Sequence, residues 1–259
     1  MTFLQGILAR KRDEVAARRA AEPDAALAAR AREAPPPRRF GSALSAAGGP
    51  VRVIAEVKRA SPSAGAIDAG LDAGAQARRY AAAGAACVSV LTDGPGFGGS
   101  LADLAAVREA VSIPILRKDF VVDRYQLLEA RAGGADAALL IVAALPGDAL
   151  RRLLGHCGEL GLAALVEVHD RPELDAALAA GAQLVGVNNR DLHTFQVNLA
   201  ASEQLLPALP AGVKGVAESG VRTAEDARRL RRAGAANLLV GEALVRAKDP
   251  AALIREMTA

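Results

Sequence analysis

Apolar residues fall into short, almost unbroken runs separated by longer stretches in which they return every three or four positions. Runs such as Val53-Ile54-Ala55, Ala138-Leu139-Leu140-Ile141-Val142, Leu162-Ala163-Ala164-Leu165-Val166 and Leu238-Leu239-Val240 lack a polar alternate face, the pattern of parallel strands covered on both sides. Strands are predicted to begin near Val51, Ala86, Ile113, Asp136, Leu162, Gln183, Val213 and Asn237, each interval long enough for a crossover helix. Between them, stretches such as 73–83, 124–132 and 224–233 have helical periodicity. Gly84-Ala85, Gly134-Ala135, Gly181-Ala182 and Gly234-Ala235 each follow a helical stretch and precede a strand, where glycine can take the left-handed conformation that ends a helix. Eight such units predict an α/β fold of the (β/α)8 TIM-barrel type. Periodicity alone leaves a doubly wound open sheet as the alternative.

Residues 1–48 lie outside the repeat. Leu4, Ile7, Leu8 and Val15 form one stripe of a helix predicted over 3–19, Asp24 is placed as the cap of a second helix, and Pro35-Pro36-Pro37 ends it. This helical extension either plugs the bottom of the barrel or covers its catalytic face.

A chain of 259 residues suits one barrel domain. No apolar run approaches the ~20 residues of a membrane span, and the first twenty residues are charged without a signal-peptide core, so a cytoplasmic protein that does not engage membranes is expected. The calculated pI is 9.1, but the basic excess is local. Residues 10–39 carry nine basic and five acidic side chains, a balance of +4 against +3 for the whole chain, and no aromatic-interleaved basic face accompanies them. Nucleic-acid binding is therefore not expected. Cys87 and Cys157 sit in no paired arrangement, and His156, His169 and His193 lack the spacing of metal ligands. We expect a monomer with no metal and no cofactor.

The candidate chemistry lies where the strands stop. Glu56-Val57-Lys58, Arg117-Lys118-Asp119, Glu167, Asn188-Asn189-Arg190 and Glu218-Ser219-Gly220 all follow apolar runs, and barrel enzymes take their catalytic groups from the carboxyl ends of several strands. Side chains two apart on a strand share a face, so Glu56 projects with Lys58 and Asn188 with Arg190. Only five of the 32 basic residues are lysine, yet two of them, Lys58 and Lys118, stand at strand ends. Lysine can give up a proton on burial, which arginine does not do. Glu167 needs a partner if buried, and a nearby lysine suits it. Phosphate is expected at the last two strand ends, at Ser219-Gly220 and Gly241-Glu242, where a short extra helix starts, with a hydroxyl from Ser61. Phe97 and Phe120 suit a flat apolar substrate or a plug beneath the loops.

Together, 54–63, Phe97-Gly98-Gly99-Ser100, Leu116-Arg117-Lys118-Asp119-Phe120, Leu165-Val166-Glu167-Val168-His169, Gly186-Val187-Asn188-Asn189-Arg190-Asp191-Leu192 and Glu218-Ser219-Gly220 resemble indole-3-glycerol phosphate synthase in order and spacing. The resemblance implies a cofactor-free carboxy-lyase of tryptophan biosynthesis, acting on a phosphorylated anthranilate. It assigns Lys118 as proton donor to the ketone and Lys58 as the cation that orients the substrate. Glu167 becomes acid and base in loss of the hydroxyl, while Glu56, Asn188 and Glu218 position hydroxyls and ammonium groups. Phe97, Phe120, Leu139 and Leu192 would enclose the aromatic ring; Ser61, Ser219, Gly220, Gly241 and the Glu242 backbone would hold phosphate, with Arg190 close by. It also implies that residues 1–48 cover the catalytic face.

Ala64 stands where the family commonly has a basic residue, Leu71 where an aromatic is usual, and the loop at Gly94-Pro95-Gly96 is unusually glycine-rich. These differences bear on loop rigidity and affinity rather than on the reaction. Two other readings are a phosphoribosylanthranilate isomerase-like enzyme, which would need a cysteine where Glu56 stands, and a noncatalytic phosphosugar-binding barrel.

Overall fold

A computed structural model describes residues 2–62, 65–191 and 194–259. Eight parallel strands, β1 (Arg52–Val57), β2 (Cys87–Leu91), β3 (Ile115–Lys118), β4 (Ala137–Ile141), β5 (Ala163–Val168), β6 (Leu184–Asn188), β7 (Lys214–Glu218) and β8 (Asn237–Val240), form a closed barrel. Closure is visible in the register of β1, which pairs Val53 with Leu238 on one side and Ile54 with Cys87 on the other. That pairing removes the open-sheet alternative. The continuous apolar runs are buried on both faces, as in β2 and β4, every residue of which is buried.

Local chemistry sets the helix limits. Asp72, Ser100, Asp170 and Asp249 each accept a backbone N–H in the first turn of the helix they precede, while Asp123 with Gln126 and Thr223 with Asp226 form reciprocal caps. At the opposite ends, Gly84, Gly134, Gly181 and Gly234 have φ of 94°, 82°, 94° and 92°, the predicted left-handed termination.

The N-terminal extension travels the height of the barrel. Helix α1 (Phe3–Ala21) begins over the strand carboxyl ends, where Phe3, Leu4 and Ile7 line the cavity described below. Val15 of α1 and Leu27 and Ala31 of α2 (Asp24–Glu33) then pack in a second small core with Tyr125 and Leu128 of the helix after β3. Beyond the prolines the chain reaches the opposite end. Lys214 Nζ, at the start of β7, donates to the carbonyls of Gly41 (2.6 Å) and Leu44 (2.7 Å). Asn237, the first residue of β8, exchanges hydrogen bonds with the Ser45 backbone. The expectation that residues 1–48 as a whole lie over the catalytic face is thus narrowed to the beginning of α1, because Phe40–Ser45 close the barrel's amino end. Asp24 is corrected too. It is the first helical residue rather than the cap: Pro23 precedes it in an extended conformation without a side-chain cap bond, and the Asp24 carboxylate is held by Arg19 Nε at 2.7 Å.

Candidate active site

The strand carboxyl ends surround a cavity of about 650 Å³, with Glu56, Lys58, Lys118, Glu167, Asn188 and Glu218 all on its lining. The two-residue repeat brings Glu56 Oε1 to 2.9 Å from Lys58 Nζ. Lys118 Nζ lies between two carboxylates, 3.1 Å from Glu167 Oε2 and 3.2 Å from Glu218 Oε2. Asn188 Nδ2 donates to Glu167 Oε1 at 3.1 Å, and its own carbonyl accepts the Arg190 backbone N–H. Asn189 points the other way, as strand alternation requires: its amide donates to the carbonyls of Glu218 and Ser219 and accepts the Ser202 N–H.

These contacts set the proton inventory. Burial works against the Lys118 ammonium, but the charges of Glu167, Glu218 and Glu56 outweigh it, so its pKa is raised and the donor is protonated. Burial also opposes ionisation of Glu167, but Lys118, His169 and Asn188 more than compensate and its pKa falls. Glu218 goes the other way, up to about 7, because burial and the charges of Glu167 and Glu56 exceed the help from Lys118. Two carboxylates on one ammonium are separated by environment, the arrangement that divides acid from base work.

Two glycines make room for this cluster. A Cβ on Gly186 would lie 1.9 Å from Glu218 Oε1, and one on Gly241 would lie 2.3 Å from Glu56 Oε1 and 3.1 Å from Lys58 Nζ. The charged layer therefore fits only because the backbones of β6 and of the turn after β8 carry no side chain there.

The cavity walls differ in character. On one side Phe97 and Phe120 stand with ring centroids 6.1 Å apart and planes at 51°, with Leu139 also on the lining. On the other are Ser61, Ser219, Gly220, Gly241, Glu242 and Arg190. Ser219 has φ of 63°, a left-handed conformation that costs a non-glycine residue of order 1–3 kcal/mol and clusters at functional sites. The Asn189 amide holds this turn through the Ser219 carbonyl at 3.1 Å, and Gly220 (φ 83°) leaves no space for a Cβ, which would meet Val197 Cγ1 at 2.4 Å. Helix Glu242–Arg246 is the short extra helix expected after β8; the Glu242 carboxylate turns to Arg246 Nε at 3.1 Å. Arg190 Nη1 donates to the Phe195 carbonyl. Leu192, His193, Ser63 and Ala64 lie outside the described residues. Leu71 is buried, and its carbonyl accepts Arg59 Nε at 3.1 Å. The glycine-rich loop is tied by Gly98 N to Gly94 O and Gly99 N to Asp93 O.

Sequence reasoning missed two groups. His169, considered there only as a metal ligand, places Nε2 3.5 Å from Glu167 Oε1 and Nδ1 3.0 Å from Glu173 Oε2; its position two residues after Glu167 was the available signal. The second is a buried charge cluster behind Lys118. Lys11, 1% exposed, reaches Asp93 Oδ1 at 2.6 Å and Asp119 Oδ1 at 3.1 Å, and Arg117 Nη2 reaches Asp119 Oδ2 at 2.9 Å and Glu129 Oε2 at 3.2 Å. Lys11 lies four residues from both Ile7 and Val15, inside the apolar stripe of α1. Alternation sends Arg117 to the face of β3 opposite Lys118, and the Asp119 carboxylate, just past the strand, pairs with it there. Among the described residues, no group of three or more His, Cys, Asp or Glu is arranged to hold a metal ion, and no helix is long and apolar enough to cross a membrane.

A family model for indole-3-glycerol phosphate synthase matches residues 4–257. The chain is similar to the indole-3-glycerol phosphate synthase of Nocardioides sp., 52% identical over 258 residues that cover 100% of this chain and 98% of that protein. That of Roseiflexus sp. is 49% identical over 264 residues (99% and 98% covered), and that of Mycobacterium avium 50% identical over 256 (99% and 93%).

Proposed function

The chain belongs to the indole-3-glycerol phosphate synthase family, and from that premise we propose how its side chains divide the work. The protein is a carboxy-lyase of tryptophan biosynthesis: 1-(2-carboxyphenylamino)-1-deoxyribulose 5-phosphate closes its ring, loses CO₂ and water, and becomes indole-3-glycerol phosphate. Lys118 donates its proton to the ketone oxygen as the ring carbon attacks. The observation that carries this assignment is the Lys118 ammonium lying between Glu167 and Glu218 on the lining of the cavity. Lys58, paired with Glu56, supplies a fixed cation that orients the anionic substrate. Glu167 then serves as acid and base while the hydroxyl leaves, and Asn188 and Glu218 hold it and Lys118 in register.

The remaining walls suit the two ends of that substrate. Phe97, Phe120 and Leu139 take the aromatic ring; Ser61, Ser219, Gly220 and Gly241 take the phosphate, helped by Arg190 and the amides at the start of the last short helices. The start of α1 covers the bound substrate. We place the protein in the cytoplasm as a monomer, an assignment that sedimentation at micromolar concentration tests through its mass.

The lysines provide the decisive test, because arginine preserves charge but is a very poor proton donor. Production of indole fluorescence is read against a background free of tryptophan. Lys118→Arg is expected to resemble Lys118→Ala, with kcat lower by roughly 10²–10⁴-fold, whereas Lys58→Arg retains more activity than Lys58→Ala. Near-native kcat in Lys118→Arg together with an inactive Lys58→Arg would reverse the two roles.

A further inference from the structure

The overall equation carries a proton requirement. The substrate's carboxylate leaves as neutral CO₂ and its ketone oxygen leaves as water, so each turnover takes up one proton. At ring closure the ketone oxygen gains the proton of Lys118 as the new carbon–carbon bond forms, and the electron pair of the breaking bond to CO₂ returns to the ring system. In dehydration, one proton goes to the departing hydroxyl and one is released from the ring, with no net change. Lys118 is thus left neutral and must be recharged from solvent. This accounting rests on the proposed role of Lys118.

We propose that His169 and Glu173 form a proton inlet that recharges Lys118 through Glu167, entering from the side of the barrel rather than through the substrate-filled cavity. The groups form one line: Glu173 Oε2 to His169 Nδ1 at 3.0 Å, His169 Nε2 to Glu167 Oε1 at 3.5 Å, and Glu167 Oε2 to Lys118 Nζ at 3.1 Å. Its outer member has a side chain 21% exposed, while Glu167 is 2% exposed. His169 Nε2 is buried and makes no hydrogen bond, so a slight rotation toward Glu167 gives up no hydrogen bond at that nitrogen. Glu173 also accepts the His169 backbone N–H at 2.8 Å, which fixes the outer link whichever way the ring turns.

The charged surroundings favour loading. Glu167 on β5, Glu173 on the following helix (Arg171–Ala179) and Glu218 on β7 all act on the imidazole; burial opposes its charge, but these carboxylates outweigh it and raise its pKa. A protonated His169 passes the Nε2 proton to Glu167 and keeps the one on Nδ1; a turn of the ring that presents the bare Nε2 to a proton carried in by Glu173 restores the imidazolium, and turning back leaves His169 unchanged. Glu167 passes the proton to Lys118 and is again a carboxylate.

The test uses the property that Lys118 starts protonated. Rapid mixing of His169→Gln with excess substrate, followed by indole fluorescence and a pH-indicator dye, is expected to give one product per site at the wild-type rate. A steady state slowed at least about tenfold then follows, with proton uptake lagging behind product. Added imidazole restores the steady rate, and Glu173→Gln gives a milder form of the same pattern. Steady turnover equal to wild type would overturn the proposal, showing that water recharges Lys118 directly. A first turnover slowed as much as later ones, with no imidazole response in either variant, would overturn it in favour of a packing role. Near-native kcat in Lys118→Arg would instead defeat the Lys118 reading on which the inlet depends.

Discussion

Replacing Lys11 by methionine separates the structural cost of the buried charge cluster from the chemistry in front of it. The ammonium is 2.6 Å from Asp93, 3.1 Å from Asp119 and 2.9 Å from Glu14, and the side chains of Lys11, Asp93 and Asp119 are 1%, 0% and 1% exposed. Methionine fills similar volume, so the main effect is an uncompensated charge; losing one partner of a buried pair costs about 3–5 kcal/mol. Asp119 retains Arg117, and its pKa stays low. Among the described residues, Asp93 keeps Arg10 as its ion-pair partner at 3.5 Å, a side chain 37% exposed. Burial already raises the Asp93 pKa even with Lys11 in place, and the substitution raises it further. A carboxyl with a raised folded pKa contributes stability that is present below its unfolded pKa and lost as pH climbs through the folded value. The damage should therefore be smaller at pH 5 than at pH 8. For a protein of this size, ~1 kcal/mol corresponds to ~2–4 °C, so thermal unfolding at pH 8 should fall by about 6–20 °C. Asp93→Asn in the Lys11→Met background should recover much of that loss. The KM should rise as well, because Phe3, Leu4 and Ile7 at the start of the same helix line the cavity. A Tm shift below about 3 °C, or a double variant as unstable as the two single losses added together, would refute the assignment of this energy to the charge cluster.

Three further outcomes follow from the site. Gly241→Ala places a methyl 2.3 Å from Glu56 Oε1, so kcat/KM should fall by about tenfold or more (~1.4 kcal/mol) with the Glu56–Lys58 pair displaced; unchanged kinetics would show that the pair is not needed where it stands. Glu218→Gln removes a carboxylate whose folded pKa lies near 7, above the ordinary glutamate value, so wild-type stability declines as pH rises from about 4.5 to 7; in Tm measured against pH, the variant should gain on the wild type across that window, and parallel curves would contradict the assignment. Ser219→Gly keeps the left-handed backbone (φ 63°) while deleting the hydroxyl, and since a hydrogen bond to a charged group is worth ~1.5–3 kcal/mol, KM should rise about tenfold or more with kcat held; a loss confined to kcat would argue against ground-state phosphate binding.

Much of this protein is written locally. The doubly covered strands need unbroken apolar runs and the helices need an apolar stripe, so Ala138-Leu139-Leu140-Ile141-Val142 or the 224–233 stretch can be recognised without knowing what covers them. Helix ends depend on a few neighbouring atoms, and Gly84, Gly134, Gly181 and Gly234 therefore announce themselves. Strand alternation also made the Glu56–Lys58 pairing legible, because Lys58 directly follows the strand that carries Glu56. Whether the sheet closed was a different matter: Val53 meets Leu238 only in three dimensions, and no local pattern encodes that contact. The same limit hid the route of 1–48. One helical stripe looks alike over either barrel end, and it took Lys214 and Asn237 capturing the 41–45 backbone to show that the extension reaches both. Nothing local marks Lys11 as a buried charge; Asp93 and Asp119 compensate it from beyond two strand ends. Nothing local shows that Glu218 occupies the place of the side chain Gly186 lacks. Charge compensation and excluded volume act through space between distant residues, and for that reason the tertiary structure alone decided which of the charged strand ends became a site and which became its support.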